Sequence, residues 1–120
     1  QIEFEYAEKY LNKITAALGI LKSNILLIPG DHDLNRRAIE NQLAEKPDST
    51  LELINDAKFL NFTNFYKSFL GKDFNPNSII FDTLIINDRI QLLGINSSYK
   101  IDLKQKEGLV LILNRVIYNR

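Results

Sequence analysis

Asn24-Ile25-Leu26-Leu27-Ile28-Pro29-Gly30-Asp31-His32-Asp33 is the stretch on which the reading of the chain turns. Four aliphatic residues in an unbroken run suit a short central strand buried on both faces. Pro29 and Gly30 then end the run abruptly. The polar cluster Asp31-His32-Asp33 falls at the carboxyl end of that expected strand, where open α/β sheets gather their ligands.

Ahead of this stretch, Ala7, Leu11, Ile14 and Leu18 recur at helical spacing, with Glu8, Lys9, Asn12 and Lys13 interleaved. They predict an amphipathic helix that stops at Gly19 and covers one face of a sheet. Behind it, residues 35–41 suit a helical turn, and Lys46-Pro47-Asp48-Ser49 a polar loop. Helical periodicity returns over residues 50–70, lined by Leu53, Ile54, Ala57, Leu60, Phe62, Phe65 and Phe69, with Gly71 as the cap. Aromatics at this spacing are read as core rather than as a binding platform.

Residues 79–86 and 89–95 predict two strands joined by Asn87-Asp88, a pair whose residue types tolerate the positive φ of a two-residue hairpin. The second strand runs into Asn96-Ser97-Ser98, polar again at a strand terminus. Residues 107–118, near Gly108, fit either a helix or a strand.

The chain has 120 residues, enough for one domain with a real core, and 45% hydrophobic content argues against disorder. Fifteen basic residues balance fifteen acidic ones, so nucleic acid is a possible partner that the charge does not indicate. The absence of cysteine excludes disulfides and thiolate chemistry and fits a reducing, cytoplasmic setting. No apolar run approaches a membrane span, so membrane insertion is not expected. The chain lacks methionine and opens on Gln1, which suggests a single domain over residues 1–120 that is an internal part of a larger one.

His32 is the lone histidine, flanked on both sides by carboxylates that favour the imidazolium and can fix a tautomer. Its turn holds little hydrophobic material that would explain it as a core residue. The spelling from Ile25 through Pro29-Gly30-Asp31-His32-Asp33 to Leu34-Asn35-Arg36 resembles the strand-turn block of calcineurin-like metallophosphoesterases. That block reads as an apolar strand followed by Gly-Asn-His-Asp or Gly-Asn-His-Glu, and in some bacterial members by Asn-Arg. The helix before the block, the segment Gly94-Ile95-Asn96-Ser97-Ser98 and the stretch at Gly108 are similar to neighbouring parts of these enzymes.

The resemblance implies an α/β fold, here part of a β-sandwich flanked by helices in a truncated αββα arrangement. It implies hydrolysis of a phosphate ester by water activated between two divalent metal ions, with the rest of a parent polypeptide as partner. Asp31 stands where the family's asparagine ligates a metal, His32 where its histidine acts on the phosphoryl group, and Asp33 where an acidic residue orients that histidine. Gly30 is expected to allow the tight turn that aims all three. Asn35, Arg36 and Arg37 are candidates for phosphate contact, with a helix-surface role as the alternative for the arginines.

Asp31 departs from the pattern: a carboxylate keeps an oxygen ligand but adds charge where an anionic phosphate must approach. Two metals about 3.5–4 Å apart need more ligands than a chain with one histidine provides. The rival reading is a binding or regulatory domain that keeps the fold without the chemistry. A metallo-β-lactamase-type site would need an upstream His-x-His, and a nucleotide-binding domain a glycine-rich phosphate loop; the sequence has neither.

Overall fold

The computed structural model describes residues 2–103. The reading of residues 107–118 and of Gly108 lies outside the described residues. Three helices and one antiparallel hairpin give a mixed helix-and-strand fold: α1 (Ile2–Leu18), α2 (Arg36–Glu45), α3 (Leu51–Leu70), β1 (Ile80–Ile86) and β2 (Ile90–Ile95).

α3 organises the rest. Its first turn is capped by the Thr50 hydroxyl, which accepts from the Leu53 N–H, and it ends at Gly71 with φ of 71°, the left-handed geometry that glycine adopts without steric cost. Nine residues of the helix are buried, from Ile54 to Leu70, and they recur at helical spacing. Phe59, Phe62, Phe65, Tyr66 and Phe69 join Leu34, Leu70, Phe74 and Ile101 in one core. Phe62 alone packs against the rings of Phe4, Phe65, Tyr66 and Phe74, with centroids 5.0 to 6.3 Å away.

The expected lining of α3 needs correction at two points. Leu53 and Leu60 are exposed, at 43% and 57%, whereas the polar Asn55 and Lys58 are completely buried. The buried stripe follows the helical period and not the residue type.

α1 docks through Phe4, Ala7 and Leu11, the Phe4 ring stacking on Phe65 at 5.1 Å. Gly19, with φ of 62°, closes it as expected. The hairpin also matches its reading: Asn87 and Asp88 have φ of 50° and 55°, and Ile86 pairs with Ile90 across them. A register shift between Ile80 and Asp82 leaves Phe81 unpaired in the ladder, and its ring packs on Phe74 at 4.9 Å.

Residues 25–28 differ from their reading. Ile25 is extended, with φ of −116° and ψ of 129°, but no strand forms here; the described residues contain a single two-stranded sheet, β1 with β2. A strand is defined by the ladder bonds of its neighbours, and among the described residues this segment has none. Ile28 is accordingly 59% exposed rather than buried on both faces. The segment comes close to the hairpin where Leu26 lies beside Gly94.

Candidate active-site turn

Pro29 is buried and anchors the segment just before it turns. Asp31, His32 and Asp33 then form one turn of 3-10 helix rather than the rim of a sheet. The turn is closed locally: the Asp33 N–H donates to the Gly30 carbonyl at 3.3 Å, and the Gly30 N–H donates to Asp33 Oδ2 at 2.8 Å. This reciprocal pairing holds the three side chains on a fixed scaffold without needing anything from His32.

Gly30 does not use the freedom expected of it. Its φ of −90° and ψ of 176° are ordinary extended values, and an added Cβ would meet only Asp33 Oδ2, at 3.5 Å. The tightness of the turn comes from the Asp33 carboxylate.

The His32 side chain is fully exposed, and its Nε2 lies 3.9 Å from Asp31 Oδ1, whose side chain is 46% exposed. At that distance and exposure the contact is a loose surface pairing that leaves the imidazole free to turn. Asp33 is tied to Gly30 and not to the imidazole. Asn35 is the N-cap of α2, its Oδ1 accepting from the Ala38 N–H at 3.1 Å, and Arg36 is the first residue of that helix. The turn, Asn35 and Arg36 are thus contiguous, and α2, longer than the expected single turn, has Arg36 and Arg37 as its first two residues.

His32 and Asp33 sit at the mouth of an open cleft of about 360 Å³. Its walls come from three elements: Phe4, Ala7 and Leu11 of α1, Leu27 and Ile28 before the turn, and Phe62 and Phe65 of α3, with Glu3 at the edge. The sequence reading missed this cleft, because it is made by packing α1 across α3 and no local pattern encodes that crossing.

It also missed Lys58. Its Nζ is buried and donates to the backbone carbonyls of Ser98 (3.1 Å), Tyr99 (2.8 Å) and Ile101 (2.7 Å). Burial pushes its pKa down to about 8, against the opposing pull of Asp102. The backbone carbonyl of the same residue accepts from the Asn35 N–H at 3.0 Å. Lys58 therefore joins the exit of the turn to the segment after β2. Within that segment Asn96 is completely buried, and neither polar atom of its side chain has a hydrogen-bond partner among the described residues.

Carboxylate and imidazole are donors that suit divalent metals. Among the described residues, however, no group of three or more His, Asp or Glu side chains is placed to hold a metal ion, so the turn falls short of a complete centre in number of donors though not in their chemistry. No described helix is long and apolar enough to cross a membrane.

The chain is similar to YydB of Bacillus subtilis (strain 168), which is named an uncharacterized metallophosphoesterase-like protein; the two are 28% identical over 95% of this chain. The chain spans 26% of the length of that relative. No protein-family model matches the sequence, and no solved structure matches it.

Proposed function

We propose that this chain is part of a metal-dependent phosphoesterase and supplies one corner of its site. The supporting observation is the Gly30-Asp31-His32-Asp33 turn, which is locally closed, open to solvent at His32 and set at the mouth of a cleft. Similarity to a protein named metallophosphoesterase-like points the same way. On this reading the helices and hairpin belong to a larger layered αββα domain, and the remaining metal ligands come from outside the described residues.

Each residue then has a role its position allows. Asp31 is the partly exposed carboxylate of the turn and offers an oxygen to a metal ion. When bound, two divalent metals would supply the activated water. His32, unrestrained at the surface, reaches the phosphoryl group and gives a proton to the departing oxygen. Asp33 acts through Gly30, fixing the backbone that carries His32. Asn35 and Arg36 lie next along the chain, where a phosphate held at His32 would meet the start of α2.

Hydrolysis of bis-(p-nitrophenyl) phosphate by the full-length protein with manganese tests the proposal. His32→Ala is expected to lower the rate by about 10²–10⁴-fold, the usual loss for a positioned acid or base. Absence of turnover, with none lost on changing His32 to Ala, would leave a domain that binds without catalysing, whereas turnover indifferent to His32→Ala would remove His32 from the chemistry. The extra negative charge of Asp31 is the observation that favours a domain without catalysis.

A further inference from the structure

The cleft beside the turn is built differently from the turn itself, and that difference carries information about what it receives. Seven of its lining residues are apolar: Phe4, Ala7, Leu11, Leu27, Ile28, Phe62 and Phe65. The polar groups, Glu3, His32 and Asp33, lie with the turn and the start of α1. Among the described residues no lysine or arginine lines it. A surface meant for a sugar or a second phosphate would need donors along its depth, since a polar group moved there without partners forfeits its hydration. A volume of about 360 Å³ is at the small end of the range of about 300–1,000 Å³ usual for ligand clefts.

We propose that the site selects phosphate esters whose organic group is apolar and compact, such as an aromatic ring, with the phosphate at His32 and the organic group in the cleft between α1 and α3. This rests on the phosphoesterase reading above for the location of the phosphate. Phe4 and Phe65, stacked at 5.1 Å, both line the cleft, so an entering ring would meet aromatic side chains there. Glu3 disfavours esters carrying further anionic groups on the organic side.

Phenylphosphonate and methylphosphonate test this without requiring turnover, because both carry the phosphate-like head and cannot be hydrolysed as esters. Their affinities for the full-length protein with manganese are measured by calorimetry at a pH where both bear the same charge. Phenylphosphonate is expected to bind roughly tenfold more tightly, the order of gain that burying a ring of apolar surface provides. Ala7→Leu or Ala7→Trp, which fill the cleft from its α1 wall, are expected to bring the two affinities within about twofold of each other. Equal affinities in the unaltered protein would overturn the assignment of the cleft while leaving hydrolysis by His32 intact. A preference that survives both fillings would overturn it as well, since the ring would then bind elsewhere. Failure of both phosphonates to bind would remove the cleft assignment together with the phosphate position on which it depends.

Discussion

α3 and the segment over residues 25–33 lie side by side and are held by opposite means. The helix buries nine of its residues and sits in a cluster of aromatic rings, at the centre of which Phe62 meets four others. The segment is extended without ladder partners among the described residues, and closes its turn with two hydrogen bonds made between Gly30 and Asp33. Stability is therefore concentrated in the helix, and the chemistry proposed here is carried by a peripheral turn that contributes little to folding. Such a division lets an active-site side chain remain exposed without endangering the core.

The largest effect that would break this contrast is Phe62→Ala. It removes a 2% exposed ring that touches four others, and is expected to cost about 3–5 kcal/mol of unfolding free energy in denaturant titrations. His32→Ala in the same assay is expected to change stability by less than about 0.5 kcal/mol. Comparable losses for the two variants would mean that the turn is part of the core after all.

Gly94→Ala probes the place where the two regions meet through the hairpin. An added Cβ would lie 3.1 Å from Phe81 Cζ, 3.2 Å from Leu26 Cδ1 and 3.3 Å from the Asp82 carbonyl oxygen. The backbone oxygen cannot move aside, and a loss of about 1–3 kcal/mol is expected from thermal or chemical denaturation.

A pH series sharpens the role of Lys58. Its folded pKa of about 8 lies below the ordinary 10.5, so between those values the unfolded chain holds more protons. Stability should then rise with pH from about 8 upward, the cost of burying the charge being relieved as the ammonium deprotonates. Tyr66, whose pKa burial and Asp82 raise above its ordinary 10.0, acts oppositely, because the unfolded phenol loses its proton first. The window for Lys58 is thus between about pH 8 and 10, read as denaturant midpoints, and Lys58→Met should abolish the rise. A flat profile in the unaltered protein would show that the three carbonyl bonds to the ammonium offset the cost of its burial.

The smallest effect is expected at Gly30→Ala. The backbone there is ordinary and the new methyl meets only Asp33 Oδ2 at 3.5 Å, so stability should stay within about 0.5 kcal/mol. A larger loss would show that the turn depends on glycine and not on the Asp33 carboxylate.

Local signals in the sequence located what local chemistry controls. The 3.6-residue spacing of α1 and α3, the Gly19 and Gly71 stops and the Asn87-Asp88 turn all depend on near neighbours, and each was legible. The exchange of Leu53 and Leu60 for Asn55 and Lys58 in the buried stripe was not, because residue type was allowed to outweigh phase. Continuing the spacing back from Phe69 and Phe65 through Phe62 reaches Lys58 and Asn55 directly. Residues 25–28 read as a strand because their composition suits one, but pairing is a property of neighbours that composition cannot supply. At the candidate site, the sequence located the turn and its exposed histidine; it could not reveal that Asp33 bonds back to Gly30, nor that α1 and α3 cross to form the cleft.

The double use of Lys58 has a mechanical consequence. Its side chain grips residues 98 to 101 while its main chain grips Asn35, so two loops far apart in sequence hang from a single peg on α3. One residue thus sets the height of both loops above the helix, and a substitution that keeps its main chain but shortens its side chain would release the later loop and leave Asn35 fastened.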